Sequence, residues 1–379
     1  MTSGELIISG GLCLLPGRGL VAADVVCGGG SIAAIRAPGS GGAGGIDAAG
    51  CLVLPGIVDI HGDAFERQIM PRPGTMFPLD IAMLDTDRQL VANGITTAYH
   101  GITISWEPGL RSLAQSLQII GALDRLEPDL LADNRLHIRW ETYALDEMDA
   151  VLDLLARPKT PLLAFNDHTS PLPKLKDPQT AYRRHAERAM VETGLYIAQC
   201  GRMLSRADEV PAAVAAMAAA ARSHGVPMLS HDDRSPDERG FFRGLGVRIA
   251  EFPVTAGTLA ASAAGGDLVV LGSPNVVRGG SHTGAIGAEQ AVREGTCAIL
   301  ASDYYYPAML RAALLLAARG VLPLERAWGM ISAVPAEAAG LADRGRIAEG
   351  LRADIVVLDE KSQLPVATVA AGKPVYRSR

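Results

Sequence analysis

The chain has 379 residues, which is enough for one large barrel with an appended domain or for two ordinary domains, because single hydrophobic cores stop growing near roughly 250 to 300 residues. Its composition of 48% hydrophobic and 20% charged residues excludes an intrinsically disordered chain, which combines low hydrophobicity with high net charge. The formal net charge of -6 excludes a protein that coats nucleic acid, since binding to a phosphate backbone requires a basic surface.

The five cysteines are scattered along the chain without a Cys-x-x-Cys pair, which fits neither a disulfide framework nor a zinc knuckle. This usage is typical of a reducing compartment, so we expect a cytoplasmic protein. The apolar stretches are too short to cross a bilayer, and the first residues show no basic segment of the kind that begins a signal peptide. We therefore expect no membrane partner.

Both ends of the chain show short β-like runs that are separated by glycine turns, such as Gly28–Gly30. These runs are residues 5–9, 20–27 and 31–36 near the start, and ADIVVLDE and ATVAAGKPVY after Gly350. The pattern predicts that residues 1–54 and 346–379 meet in one small β-domain.

The middle of the chain, residues 55–345, alternates short apolar runs with helical segments. Strands that alternate with helices predict a parallel sheet, and a count of eight predicts a closed (β/α)8 barrel rather than an open sheet. The eight apolar runs lie near residues 57–61, 95–100, 136–142, 161–166, 226–231, 247–252, 267–272 and 297–302.

Four segments between these runs have clear helical signals. They are residues 78–93, 110–126, 179–199 and 205–224. In the last segment, Ser205 is followed three positions later by Asp208, which predicts a capping box, and Gly225 predicts the end of the helix.

Polar side chains follow at least five of the eight runs, at the barrel face where chemistry collects in this fold. A single His there is more often structural, and a single Asp is more often a helix N-cap, so the argument depends on the joint pattern. Imidazole nitrogens and carboxylate oxygens are ligands for zinc and manganese. The pattern therefore predicts a divalent metal site. In chain order the residues are His61, Asp63, Glu141, Asp167, His168, His231, Asp232, Asp233, Glu251 and Asp303.

The third run, LHIRWETY, alternates so that His137, Arg139 and Glu141 share one face. We interpret His137 and Arg139 as polar filling inside the barrel, below Glu141. The same alternation places His61 and Asp63 on one face of the first strand, so that both side chains can bind one ion.

The stretch VLPGIVDIHGD, which follows IDAAGC, resembles the first-strand signature of the amidohydrolase superfamily. That resemblance implies a (β/α)8 barrel with a small β-sandwich domain formed from both chain ends. A closer resemblance is to one branch, the α-D-ribose 1-methylphosphonate 5-triphosphate diphosphatases of the carbon-phosphorus lyase pathway. It covers nearly the whole chain through the ordered segments HGDAFERQIMPRPG, NGITTAYHG, HIRWE, DHTSP, LSHDD, AEFPVT, GSPNVVRGGSHTG and SDYYYP.

The resemblance implies a metal centre of one or two divalent ions. Most superfamily members have a second His where this chain has Asp63, and the exchange of imidazole for carboxylate leaves zinc and manganese as alternatives. No Lys stands at a strand end, so Glu141 is the expected bridge between two ions. The implied metal ligands are His61, Asp63, Glu141, His168, His231 and Asp303.

The implied reaction is hydrolysis of α-D-ribose 1-methylphosphonate 5-triphosphate to diphosphate and ribose 1-methylphosphonate 5-phosphate, in phosphonate catabolism. A metal ion lowers the pKa of bound water toward neutrality from about 15.7. Asp303 is the expected general base, and His231 is the second candidate catalytic residue. The expected partner is a small phosphorylated molecule, and an assembly of identical copies is compatible with this function.

Several residues are candidates for contact with the substrate. Arg72 lies between two prolines, which restrict its backbone, although a solvated loop Arg is an equal alternative. Arg278 precedes two glycines, whose N–H groups can form an anion-binding nest, with a plain turn as the alternative. The complete set is Glu66, Arg72, Asn275, Arg278, Ser281 and His282.

Two other functions use the same residues. Hydrolysis of an amide or cyclic amide, as in deacetylases and dihydroorotase-like enzymes, would need the same metal centre but fewer arginines around it. A non-catalytic barrel is the other alternative, although carboxylates that cluster without a metal repel one another. His100 departs from the branch pattern, which has Asp at that position, and this affects the expected substrate.

Overall fold

The computed structural model describes residues 5–39, 45–280 and 287–378. In chain order, the strands within these ranges are β1 (Leu6–Leu15), β2 (Gly19–Gly28), β3 (Ser31–Arg36), β4 (Gly45–Asp47), β5 (Cys51–Pro55), β6 (Ile57–Gly62), β7 (Ile95–Ile104), β8 (Asp133–Glu141), β9 (Leu162–Asn166), β10 (Met228–His231), β11 (Ile249–Glu251), β12 (Leu268–Gly272), β13 (Ile299–Ala301), β14 (Ile355–Asp359), β15 (Pro365–Ala370) and β16 (Lys373–Arg377).

The helices in the same ranges are α1 (Glu66–Ile69), α2 (Leu79–Ala92), α3 (Leu113–Leu126), α4 (Met148–Leu155), α5 (Pro178–Ala189), α6 (Thr193–Leu204), α7 (Val210–Ser223), α8 (Pro236–Gly244), α9 (Ala256–Ala264), α10 (Ser273–Arg278), α11 (Ala288–Arg293), α12 (Ala308–Ala318), α13 (Leu324–Gly329) and α14 (Ala333–Ala338). In this part of the chain we find no helix that is both long enough and apolar enough to cross a membrane.

Strands from both chain ends share one mixed sheet. Its order is β16-β15-β14-β5-β1-β2-β3, and β4 pairs with β1. The two ends join where β5 runs antiparallel to β14, with Pro55 opposite Ile355 and Cys51 opposite Asp359. The predicted terminal β-domain is therefore present, while its exact boundaries at residues 54 and 346 stay a prediction.

The second sheet is the predicted barrel. Strands β6 to β13 run parallel in sequence order, and each overlaps one of the eight predicted runs. The last strand returns to the first, because the Asp303 N–H donates to the His61 carbonyl at 2.9 Å and the Asp63 N–H donates to the Asp303 carbonyl at 3.0 Å. These bonds close the (β/α)8 barrel, whose strands are buried on both faces, as in other parallel sheets.

A buried carboxylate reinforces the closure from inside. Asp59 on β6 accepts hydrogen bonds from the Ser302 N–H at 3.1 Å, the Ser302 hydroxyl at 2.5 Å and the His61 N–H at 3.2 Å. Burial raises the pKa of Asp59, and these donors oppose that effect. Asp59 thus links the first and last strands directly below the residues that end them.

Two of the predicted helices differ from the structure. Residues 179–199 form two helices because Met190 adopts a left-handed conformation with φ of 56°. The capping box at Ser205 was wrong, since Ser205 ends α6 and its hydroxyl donates to the Arg202 carbonyl at 2.7 Å. The predicted helix end before Gly225 is confirmed, with φ of 66° at that glycine.

Arg344, in the segment after α14, is tied to the barrel at the start of its strands. Its guanidinium is buried and donates to the Asp133 carboxylate at 2.7 Å and to the Thr97 hydroxyl at 2.9 Å. Burial alone would raise the pKa of Asp133, but Arg135 and Arg344 lower it to about 2. Asp133 is therefore ionised at neutral pH, and Arg344 and Arg135 together balance its buried charge.

We expect Arg344→Gln to lower the free energy of unfolding by about 1.5 to 3 kcal/mol, because the Asp133 carboxylate loses a buried charge-assisted hydrogen bond and keeps only Arg135 and Lys159 as cationic partners. Arg346→Gln is the matched control, since Arg346 pairs with Glu337 at an exposed position and should contribute at most about 1 kcal/mol. Urea unfolding of the two variants measures the difference. Equal destabilisation would contradict the role of the buried pair.

Candidate metal centre

Three groups of histidine and carboxylate residues in the described part of the chain are close enough to hold a metal ion. In each group the ligand atoms lie within 4.8 Å of one another, and all three groups lie at the carboxyl ends of the barrel strands. The groups are His61 with Asp63 and Asp303, His61 with His231 and Glu251, and His168 with His231 and Asp232.

The first group consists of the residues that close the barrel. Gly62 lies between His61 and Asp63 in the chain. A Cβ at Gly62 would lie 2.8 Å from the Asp59 carboxylate and 3.0 Å from the Ser302 hydroxyl. Glycine therefore lets the strand pack against β13 between His61 and Asp63. The sequence HGD places two ligands on one face and keeps the residue between them small.

The charges of the first group suit a divalent cation. Burial, and then the negative charge of Asp63, raise the pKa of Asp303 to about 7. Burial, and then the positive charge of Arg139, lower the pKa of His61 to about 3, so its imidazole is neutral and can act as a ligand. A cation between the two carboxylates would relieve their repulsion. The donor set thus fits the borderline metals that accept nitrogen and oxygen ligands.

Glu251 holds two of the histidines. One carboxylate oxygen lies 2.7 Å from His61 Nδ1 and the other lies 2.9 Å from His231 Nδ1. Burial raises the pKa of Glu251, and the charges of His137 and Arg139 oppose this effect. When ionised, the carboxylate only accepts, so each ring then carries its proton on Nδ1 and keeps a lone pair on Nε2, as in the carboxylate-histidine pairs of metal sites. The sequence placed Glu251 at the end of the sixth strand but outside the predicted ligand set. Its strand-end position was the only signal of this role.

Glu141 interacts with His168 instead of bridging two ligand groups. One of its oxygens lies 2.5 Å from His168 Nδ1, and the other accepts from the His168 backbone N–H at 3.1 Å. Because both oxygens face this one residue, Glu141 belongs to none of the three ligand groups in the described chain. In the described structure Glu141 orients His168, and its expected role as a bridge between two ions stays a prediction.

Arg139 reaches the centre, although the sequence pattern suggested that it fills the barrel below. Its side chain is 3% exposed, and it donates to the Asp63 carboxylate at 3.3 Å. Its other terminal nitrogen lies 3.2 Å from His231 Nε2. Burial would raise the pKa of Asp63, but Arg139, with further help from His61, Arg111 and Arg67, lowers it. His137 does lie below, buried and 4.0 Å from Glu251.

Three residues after the strand ends have left-handed backbones, which are uncommon outside glycine. They are Asp232, Phe252 and Asp303, with φ of 58°, 54° and 56°. Such strained conformations cluster at functional sites, because the surrounding structure must impose them. The Phe252 ring also contacts the edges of His61 and His231, with centroid distances of 4.9 and 5.4 Å.

Two arginines with charges that act on Asp63 lie in the segments that follow β6 and β7. Arg111 is partly buried and donates to both oxygens of Glu66 at 2.9 Å each. Arg67 donates to the Tyr304 carbonyl. Glu66 was predicted as a substrate contact, but its carboxylate is occupied by Arg111. The pair therefore presents a fixed guanidinium next to the first ligand group.

The other predicted contacts lie on outer loops. Arg72 is exposed, and Arg278 ends α10 and donates to the Tyr304 hydroxyl at 3.2 Å. The predicted nest was wrong for its two glycines, because the N–H groups of Gly279 and Gly280 both bond to the Asn275 carbonyl and cap the helix. Ser281 and His282 lie outside the described residues.

His100 does not face the metal centre. It is buried on β7, and its Nε2 lies 2.6 Å from the amide oxygen of Asn134. The Asn134 amide in turn donates to Asp87 of α2 at 2.8 Å. His100 therefore belongs to the layer between the barrel and its helices, so its departure from the branch pattern leaves the site unchanged.

Comparison with known proteins identifies the family. The amidohydrolase family model matches residues 296–376. The α-D-ribose 1-methylphosphonate 5-triphosphate diphosphatase of Escherichia coli strain K12 is 32% identical over 329 residues, which cover 83% of this chain and 85% of the relative. The chain belongs to the amidohydrolase superfamily. Its members generally use divalent metals, and the His, Asp and Glu groups of this chain are consistent with that use.

Solved structures agree in fold with this amidohydrolase superfamily member. Dihydropyrimidinase from Brevibacillus agri has a TM-score of 0.67 at 13% identity, over 99% of this chain and 95% of that chain. N-acetylglucosamine-6-phosphate deacetylase from Pasteurella multocida has a TM-score of 0.64 at 11% identity, over 98% and 99%. At such identities the likeness concerns the fold alone.

We expect Glu251→Gln to weaken metal binding by roughly 10 to 100-fold, the range for loss of a partner that orients ligating histidines. An amide has one acceptor oxygen, so it can hold only one of the two Nδ1–H groups. Competition with a chelator measures the affinity. Glu337→Gln, at an exposed carboxylate, is the control and should bind metal normally; equal affinity in both variants would contradict the orienting role.

Proposed function

We propose that this amidohydrolase superfamily enzyme hydrolyses α-D-ribose 1-methylphosphonate 5-triphosphate to diphosphate and ribose 1-methylphosphonate 5-phosphate. The main support from the structure is the arginine charge around the candidate metal centre. Arg139, Arg111 and Arg67 all lower the pKa of Asp63. A polyphosphate needs such fixed cations, whereas a neutral amide does not. The E. coli relative, with its diphosphatase name, supports the same substrate.

In this proposal, His61, Asp63 and Asp303 hold a zinc or manganese ion, with His168 and His231 beside them and Glu141 and Glu251 orienting the rings. When bound, the metal supplies a water of lowered pKa and polarises a phosphoryl oxygen. Asp303 accepts the proton of the attacking water as general base. His231, whose ring stacks on that of His61 with the centroids 5.4 Å apart, is the second catalytic residue. The closed strand ends place these groups before the substrate arrives.

Phosphate oxygens of the substrate are bound by arginines in this proposal. A guanidinium holds two phosphate oxygens with parallel N–H groups, and Glu66 fixes the plane of the Arg111 guanidinium. Arg72 and Arg278, from the outer loops, contact the more distant phosphates or the sugar. Asn275, Ser281 and His282 complete the candidate contacts. The cytoplasm is the proposed location, which fits five cysteines without a Cys-x-x-Cys pair.

Hydrolysis of an amide or cyclic amide, as in deacetylases and dihydroorotase-like enzymes, is the second candidate. The same metal centre and base serve both reactions, so the substrate decides between them. A neutral cyclic amide offers the arginines around Asp63 no negative charge to bind, whereas a triphosphate does. We therefore rank the triphosphate first.

The direct test incubates the metal-loaded protein with ribose 5-triphosphates and with dihydropyrimidine and N-acetyl sugar substrates in parallel. We expect release of diphosphate from the triphosphate that has a methylphosphonate at the first carbon, and no release of amine or ring-opened product. Turnover of an amide without any diphosphate release would refute the proposed substrate. The apoprotein, prepared with a chelator, is the control and should be inactive toward both.

We expect Asp303→Asn to abolish diphosphate release while the protein stays folded, because an amide cannot accept the proton. Circular dichroism and a thermal melt check the fold. Asp343→Asn, at an exposed carboxylate that pairs with Arg344, should leave the rate unchanged. An active Asp303→Asn enzyme would remove this residue from the role of base.

We expect Arg111→Met to lower kcat/KM for diphosphate release by roughly 10 to 150-fold, since a hydrogen bond to a charged group contributes about 1.5 to 3 kcal/mol. The control is Arg125→Met, because Arg125 pairs with Asp80 at an exposed position. The double variant Glu66→Gln with Arg111→Met removes the carboxylate that the single variant leaves unpaired. Full activity in that double variant would show that Arg111 does not bind the substrate.

A further inference from the structure

Arg139 contacts members of all three ligand groups and has several fixed partners. It contacts Asp63 of the first group at 3.3 Å and His231, which belongs to the other two groups, at 3.2 Å. When the Asn166 amide oxygen is turned toward the guanidinium, that oxygen accepts from Nε and from Nη2 at 3.2 Å each. The guanidinium is buried and has fixed partners, so it is a permanent part of the centre.

His231 has both ring nitrogens engaged. Its Nδ1 lies 2.9 Å from Glu251, and its Nε2 lies 3.2 Å from the Arg139 guanidinium, which can only donate. The Nε2 lone pair therefore accepts from Arg139. While Arg139 stays in place, His231 has no nitrogen lone pair that can bind an ion.

The group formed by His61, His231 and Glu251 has the spacing of hydrogen bonds. Two ligand atoms at about 2.0 to 2.2 Å from one tetrahedral ion lie roughly 3.3 to 3.6 Å apart. The observed separations of Glu251 from the two rings are 2.7 and 2.9 Å, as expected for direct hydrogen bonds. This group orients the imidazoles rather than surrounding an ion.

The first group keeps its ligand atoms free for an ion. His61 uses Nδ1 for Glu251, which leaves its other nitrogen, and Asp63 uses only one oxygen for Arg139. Asp303 contributes a carboxylate from the end of the last barrel strand. Of the three groups in the described chain, this one alone does not contain His231.

We propose that Arg139 is a built-in cation that takes the position of a second metal ion, so that the centre holds one divalent ion at His61, Asp63 and Asp303. The proposal rests on the metal dependence of the proposed function but not on the identity of its substrate. A guanidinium keeps its charge at all working pH values. The positive charge of Arg139 therefore balances the negative charge of the carboxylates permanently. It also repels a second divalent ion at His168, His231 and Asp232.

Metal stoichiometry tests this proposal without any assay of turnover. The purified protein is saturated with zinc, separated from free zinc by gel filtration and analysed by mass spectrometry for zinc per chain. We expect one ion for the wild type and one for Arg139→Lys, which keeps the charge. We expect two for Arg139→Gln, and one again when Asp232→Asn is added to Arg139→Gln, because the second group then lacks its carboxylate.

Two ions per chain in the wild type would overturn the proposal, and so would a folded Arg139→Gln protein that still binds one. Should Arg139→Gln not fold, electron paramagnetic resonance of the manganese-loaded wild type decides instead. We expect the signal of isolated Mn²⁺, while the signal of a spin-coupled pair would contradict a single ion. Two ions per chain together with diphosphate release would refute the single-ion proposal but not the proposed substrate. One ion per chain together with amide turnover would refute the proposed substrate but not the single ion.

Discussion

Two backbone hydrogen bonds, between Asp303 and the residues His61 and Asp63, close the barrel and bring the first ligand group together. The residues that end the first and last strands are the same residues that present the imidazole and the two carboxylates. Closure of the sheet and assembly of the centre are therefore one event. The buried carboxylate of Asp59 supports both, because it accepts from the backbone of His61 and from Ser302. A substitution that breaks the hydrogen bonds between the first and last strands would move the three ligands apart without replacing any of them.

Electrostatics explains why so many titratable groups can be buried at this one place. Glu251 and Glu141 accept from the histidines and fix the nitrogen that each ring presents. The positive charge of Arg139, inside the barrel, balances the negative charge of Asp63. The charge of Arg111, whose guanidinium is held by Glu66, also lowers the pKa of Asp63. Burial and the negative charge of Asp63 raise the pKa of Asp303, and a bound cation would lower it. A divalent ion at this centre would therefore balance the negative charge of Asp63 and Asp303.

The sequence predicted the parts that depend on local pattern. The eight apolar runs, their parallel order and the shared face of His61 and Asp63 follow from period-two alternation and from strand-helix alternation, and the structure has them. The roles of Glu251 and Arg139 depend on distances between strands that are far apart in sequence, so no local pattern could distinguish a ligand from its orienting partner. The break at Met190 and the capped amides of Gly279 and Gly280 depend in the same way on tertiary contacts.

The central claim is that the strand ends of a closed barrel hold a divalent cation at His61, Asp63 and Asp303. X-ray diffraction from crystals of the zinc-loaded protein, measured on both sides of the zinc absorption edge, tests it most directly. The account predicts an anomalous peak at about 2.0 to 2.2 Å from one ring nitrogen of His61 and from an oxygen of each of the two carboxylates. A peak at any other set of residues, with none at these three, would contradict it.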